Sequence, residues 1–198
     1  LQARMDADTV RLVEFQDKHG GNPRAEGHLQ QGPPVTGEFV FPEVCGNTFA
    51  IQVSKTLLGE RCYLSFHNGN TNMPGSCYQA VHLDNPHLWP EAETPSPAYS
   101  LVINIGTGDC TVDNGAVEVW PGSHRVMARC EGNTINLADV EARRKEVPPV
   151  QLETRRGDLM IRDTRLWHRG VPNPSGKPRH MIASIHMAPW YQRQRTLA

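Results

Sequence analysis

Several things are missing from this chain of 198 residues, and each absence narrows the reading. No apolar run approaches the ~20 residues needed to cross a bilayer. Neither sign of charge is in excess, because 20 Lys and Arg stand against 21 Asp and Glu, for a net charge of −1. That balance gives no electrostatic reason to expect nucleic acid or an anionic membrane as partner. No secretory signal is visible at the start, and the chain opens on Leu1. No C-x-x-C pair occurs. The five cysteines (Cys45, Cys62, Cys77, Cys110 and Cys130) are odd in number, which speaks against a structural zinc site and a disulfide framework. They read as buried or half-buried free thiols in a reducing cytoplasm. Internal repeats and low-complexity tracts are also absent.

What is present suits one domain with a real core. The 17 Gly and 16 Pro are dispersed rather than clustered, as in a chain of many short strands and tight turns. Asp6 to His19 is the first helix candidate, with Asp8 as cap, an apolar side of Val10, Leu12, Val13 and Phe15, and Gly20-Gly21 as its end. Residues 22 to 38 are polar and rich in Gly and Pro, so they read as a long loop. Glu38 to Phe41 and Thr48 to Leu57 are short apolar segments, the second with helical character. From Cys62 the pattern turns β. Strand-like runs cover 62–66, 78–83, 99–105, 116–120, 150–154, 158–162 and 181–186. One excursion, Leu137 to Glu146, reads as a helix with Asn136 as cap, Glu141 four before Lys145, and Pro148-Pro149 as a stop. Short strands with one helical insert predict a mainly β chain, a sandwich or jelly roll.

The chemistry concentrates in V-H-L-D-N-P-H-L-W-P, residues 81 to 90. In a strand, side chains two apart share a face, so His82 and Asp84 project together. Roughly one H-x-D/E match is expected by chance in such a composition, so the pair needs a third ligand. His87 lies at odd parity from His82, and Pro86 interrupts any strand between them. His168, in R-L-W-H-R-G, is the better partner. Two histidines and one carboxylate make the facial triad of non-haem Fe(II) enzymes, with positions left open for oxygen and substrate. Eleven residues later, Arg179 opens an alternating apolar strand. An arginine entering a β core there is costly unless paired, and a dicarboxylate ligand would pair it bidentately; taken alone, a strand-end surface arginine is the plainer reading. Ser123 and His124 in P-G-S-H fix a turn rather than perform chemistry.

The order H-x-D, N-G-A-V-E-V-W-P-G-S-H, R-L-W-H-R-G and then an arginine resembles the phytanoyl-CoA dioxygenase family over residues 60 to 190. Three further stretches, G-H-L-Q-Q-G-P-P-V, N-M-P-G-S-C-Y-Q-A-V-H-L-D-N-P-H-L-W-P and R-L-W-H-R-G-V-P-N, are similar to its kanamycin B dioxygenase branch. The resemblance implies a double-stranded β-helix (jelly roll, cupin-like) with a few flanking helices. It implies one oxygenase domain over 1–198: an N-terminal helix and substrate loop region to residue 60, and the jelly-roll core from 61. Fe(II), 2-oxoglutarate and O2 would be the cofactors, with His82, Asp84 and His168 on the metal. Arg179 would hold the distal carboxylate of 2-oxoglutarate. Asn72, Asn104 and Gln79 match positions beside the cosubstrate or the metal, although many members place a tryptophan where Asn104 stands. Gln31, His87 and Trp89 are candidates for substrate contact. Members usually carry more chain at both ends, which bears on the substrate more than on the chemistry.

The expected reaction is oxidation of a small polar natural product, such as an aminoglycoside, by hydroxylation and possible onward oxidation to a ketone. Asp84 disfavours halogenation, since related halogenases leave that carboxylate's position empty for chloride. An acyl thioester or lipid-like substrate is the alternative within the class. A non-catalytic cupin-like binding module is the alternative outside it.

Overall fold

The computed structural model describes residues 1–20 and 27–191. Its frame is a five-stranded antiparallel sheet, flanked by helices on one face and by a smaller sheet on the other. The large sheet is built from β1 (His28–Gln30), β2 (Tyr63–Asn72), β3 (Ser100–Gly106), β8 (Leu159–Asp163) and β10 (Arg179–Met187), in the order β1-β2-β10-β3-β8. The small sheet runs β7-β4-β9, from β4 (Glu118–Val119), β7 (Val150–Gln151) and β9 (His168–Arg169). His82 extends it by bridging His168 on one side and Thr134 on the other. Thr134 belongs to the hairpin of β5 (Cys130–Glu131) and β6 (Thr134–Ile135). Two facing antiparallel layers of this kind are the expected jelly roll with flanking helices.

Side-chain alternation sorts the large sheet into two faces. Leu101, Ile103 and Ile105 of β3, with Leu159 and Ile161 of β8, pack toward helix α3 (Thr48–Leu58) around Ala50, Leu58 and Tyr99. Asn104, Met160, Arg162, Arg179 and Met181 point the other way, into the space between the sheets. A second apolar cluster lies outside the small sheet, where Val81, Leu83, Trp120 and Trp167 meet Val140 of helix α4 (Leu137–Glu146). The apolar cores thus lie on the two flanks, and the space between the layers is largely polar.

Several elements depart from expectation. Helix α1 (Gln2–His19) starts four residues before Asp6. Asp8 therefore sits inside the helix and pairs with Arg4 at 2.6 Å instead of capping. The buried stripe is Met5 and Thr9, while Val10 and Phe15 are 57% and 61% exposed. The expected loop at 22–38 contains β1, which pairs with β2 through His28↔Asn72 and Gln30↔Asn70; residues 21–26 lie outside the described residues. Strand β2 continues past Phe66 through the polar run H-N-G-N-T-N, because β1 and β10 pair it on both sides. The expected strand at 78–83 forms no ladder of its own. Its backbone pairs irregularly, with Gly170, His168 and Asn133 in turn. All five cysteines are free, but Cys77 and Cys130 are exposed rather than buried or half-buried, because they lie in an irregular segment and a short hairpin instead of in a core. Asn47 and Asn136 cap α3 and α4 with their side-chain oxygens, although Glu141 pairs with Arg144 rather than Lys145. Helix α2 (Pro42–Cys45) follows the apolar segment at 38–41. No helix among the described residues is long and apolar enough to cross a membrane.

Candidate metal centre

Two backbone hydrogen bonds set the site. His82 N–H donates to the His168 carbonyl at 3.0 Å, and His168 N–H returns the bond at 2.9 Å. Residues paired in this way stand directly opposite with side chains on one side of the sheet, and the two rings lie 4.3 Å apart. Asp84 follows on the same side, its N–H donating to the Thr164 carbonyl at 2.8 Å. One ligand atom from each of His82, Asp84 and His168 then falls within 4.8 Å of the others. This is the only such group of three among the described residues.

The protonation states suit a cation. His82 Nδ1 lies 2.8 Å from the Ala80 carbonyl, and His168 Nδ1 lies 2.9 Å from the Leu166 carbonyl. A carbonyl only accepts, so both Nδ1 atoms carry the proton and both Nε2 lone pairs are left for a ligand. Burial, with the nearby Arg162 guanidinium, pushes His168 down to about 3, which keeps the ring neutral. Burial pulls the Asp84 carboxyl upward, but the Arg162 guanidinium beside it outweighs that, and the group settles at about 2. Two imidazoles with Nε2 unspent and one ionised carboxylate are the donor set of a divalent transition metal. His168 Nε2 and Asp84 Oδ1 lie 3.7 Å apart, close enough for one ion to touch both.

The cavity around them has a volume of about 190 Å³. Arg179 enters it from the start of β10 and is 8% exposed. Its Nη2 donates to the Gly115 carbonyl at 2.7 Å, while its Nε is buried without a partner. Burial lowers its pKa, and no carboxylate among the described residues pairs with it. A buried guanidinium with an unspent donor fits an incoming carboxylate.

The remaining sequence candidates divide in two. Asn72, Gln79 and Asn104 line the cavity. Asn72 is fully engaged in its wall: its amide N–H groups reach the Val171 and Gly115 carbonyls, and its oxygen accepts from Ser76 Oγ. This explains Gly115, whose φ is +79° and where an added Cβ would collide with the Asn72 amide. Gln79 accepts from Gly170 N–H at 2.9 Å. Asn104 Oδ1 accepts from Arg162 Nε at 3.4 Å. Gln31, His87 and Trp89 do not line the cavity. Gln31 is buried against α1, bonded to Thr9 and to the Met5 carbonyl. His87 bonds the Val126 carbonyl, and Trp89 is 55% exposed on a loop. Ser123 Oγ accepts from Trp167 N–H and so holds the segment leading into His168.

Sequence reasoning passed over several polar residues of the cavity, Arg162, His28, Gln30 and Asn70 among them. Arg162 was legible, since in D-L-M-I-R it follows the alternation that places Met160 inward. His28, Gln30 and Asn70 lacked any signal, because polar residues facing a cavity carry no apolar period.

The chain is similar to several known proteins. A curated relative, "Dioxygenase af480" of Aspergillus fumigatus, is 25% identical over 169 residues, covering 81% of this chain and 51% of its own length. The chain thus spans about half the length of that relative. Among solved structures, AviO1 from Streptomyces viridochromogenes Tue57 matches with a TM-score of 0.63 at 19% identity, covering 96% of this chain and 86% of its own. EctD from S. alaskensis matches with a TM-score of 0.64 at 18% identity, covering 93% and 68%. SnoK from nogalamycin biosynthesis matches with a TM-score of 0.62 at 23% identity, covering 94% and 76%. These likenesses establish the jelly-roll fold. The family profile described as "Phytanoyl-CoA dioxygenase (PhyH)" matches residues 4–181, from the first turns of α1 to the third residue of β10, and the chain belongs to that family.

Proposed function

We propose that this chain is an Fe(II)- and 2-oxoglutarate-dependent dioxygenase that oxidises a small polar molecule, within one domain over residues 1–198. One observation carries the reading. A triad of two imidazoles and a carboxylate converges in the same cavity as a buried arginine that lacks an anion. His82 Nε2, His168 Nε2 and Asp84 would hold the iron, and Arg179 the distal carboxylate of 2-oxoglutarate. The bound pair supplies the oxidising chemistry, drawing on O2. The chain's own part is orientation. The Ala80 and Leu166 carbonyls fix the two imidazoles, and the walls built by Asn72, Gln79 and Asn104 shape the space beside them. The EctD structures, one with 2-oxoglutarate and 5-hydroxyectoine and one with bound Fe, support the same cofactors here. So does SnoK, described as a non-heme alpha ketoglutarate dependent carbocyclase. Because Asp84 supplies a third ligand, hydroxylation is the expected outcome, with a ketone possible at an amine-bearing carbon.

The cavity wall supports a polar substrate. Gln30 and Asn70 stand opposite each other across β1 and β2, both exposed at the cavity, with His28 and Gln79 nearby. Amides of this kind pair with hydroxyl or amine groups and lose hydration without compensation against an acyl chain. The likeness of three sequence stretches to the kanamycin B dioxygenase branch supports the same class. The free cysteines support a cytoplasmic setting.

The test is anaerobic addition of Fe(II) and 2-oxoglutarate. The expected result is a weak visible charge-transfer band, followed in air by succinate. Absence of both would overturn the reading and favour a non-catalytic binding module. A panel of aminoglycosides and amino acid derivatives set against acyl thioesters then assigns the substrate class.

A further inference from the structure

The cavity holds a second buried cation with no part in the scheme above. Arg162, on β8, has a side chain only 8% exposed, and its Nη1 lies 2.6 Å from Asp84 Oδ2. The same Nη1 lies 3.5 Å from His168 Nδ1, which already donates to Leu166, so that contact is a close approach rather than a hydrogen bond. The position is informative. The guanidinium meets Asp84 at Oδ2 and His168 at Nδ1, the atoms that turn away from the ligand pair Oδ1 and Nε2. It therefore stands behind the ligands and not between them. The 2.6 Å contact is an ion pair, and Oδ2 has no other partner among the described residues. Asn104 Oδ1 props the guanidinium from the far side by accepting from Nε.

We infer that Arg162 is a positioning residue for the metal centre, one that holds Asp84 Oδ2 so that only Oδ1 is presented to the ion. A carboxylate with both oxygens free can chelate a metal through both and close a coordination position that the reaction needs. With Oδ2 held by Arg162, Asp84 ligates through one oxygen and the open positions stay open. A planar guanidinium suits this because it reaches Asp84 and Asn104 at once, in directions a lysine ammonium cannot fix together. The inference rests on the assignment of His82, Asp84 and His168 as ligands.

The experiment is anaerobic titration of the full chain with Co(II), followed by calorimetry and by the visible spectrum of the bound ion. Arg162→Gln is expected to weaken Co(II) binding ~10–100-fold, as loss of a ligand's supporting partner does, and to change the spectrum toward a higher coordination number. Arg162→Lys is expected to recover part of the affinity. Asn104→Ala is expected to shift both readouts the same way by less, and these two variants carry the test if Arg162→Gln does not fold. A purely structural arginine would lower the melting temperature and leave the Co(II) spectrum as in wild type; that result overturns the inference. Wild type that binds no Co(II) overturns the ligand assignment and this inference together. Wild type that binds Co(II), with an Arg162→Gln variant of equal affinity and spectrum, overturns this inference alone.

Discussion

The large sheet carries buried and half-buried histidines on its back face, and the small sheet presents others to its front; the two sets serve different ends. On the back, each of three histidines fastens one helix. His180 bridges Thr71 Oγ1 at 2.7 Å and Asp6 of α1 at 3.0 Å. His67 bridges Ser184 Oγ at 2.8 Å and Cys45 of α2 at 3.5 Å. His186 meets Ser54 Oγ of α3 at 2.7 Å. On the front, His82 and His168 spend Nδ1 on a backbone carbonyl and direct Nε2 toward a carboxylate and a cavity. Burial alone therefore does not mark a functional histidine in this chain. The distinguishing feature is an unspent nitrogen beside an ionised acid.

The comparison can be broken most severely at the front. His168→Ala or Asp84→Ala is expected to abolish succinate formation and the charge-transfer band while the far-UV circular dichroism stays native. Retained turnover in either variant would remove the distinction between the faces. Next in size, Arg179→Ala is expected to weaken 2-oxoglutarate binding by ~2–5 kcal/mol, the cost of truncating one side of a buried charge pair. A titration giving wild-type affinity would relocate the anchor. The back face should answer to a different assay. Ser54→Ala leaves buried His186 short of a partner and is expected to cost ~1–3 kcal/mol in urea unfolding, with the spectrum of bound metal unchanged.

The smallest effect is that of pH. Burial lowers the pKa of His67, His180 and His186 on the back face, with Asp6 partly opposing it at His180. Below about pH 6.5 the unfolded chain takes up protons that these folded rings refuse. Their contribution is therefore complete above about 6.5 and is lost as pH falls toward the depressed folded values. Melting temperature should be level from pH 8 to 7 and decline below about 6.5. A level profile down to pH 5 would mean that the back-face rings titrate as they do in the unfolded chain.

The parts of the fold legible in the sequence are those where one face is apolar and the other is not, or where a cap is explicit. Strands β3 and β8 and helices α3 and α4 meet those conditions. Strand β1 and the second half of β2 do not, because their inward side chains are His28, Gln30, Asn70 and Asn72 and their pairing is supplied from distant segments. The start of α1 was displaced for a related reason. Its buried stripe pairs Met5 with Thr9, and Thr9 is polar because it bonds Gln31. The ligand triad showed because H-x-D and a distant W-H-R-G are rare in combination. Arg162 needed only the parity argument applied to His82 and Asp84, extended to β8.

The reciprocal bonds between His82 and His168 have a kinetic and entropic meaning. The two residues stand 86 positions apart in the chain. Joining such distant points costs roughly 4 kcal/mol of loop-closure entropy plus a constant. Here the closure is completed during folding by two main-chain hydrogen bonds, so an arriving ion meets an assembled clamp and need not gather the chain around itself. Metal should then stabilise the fold by simple mass action, in proportion to its free concentration, and leave the cooperativity of unfolding as it was.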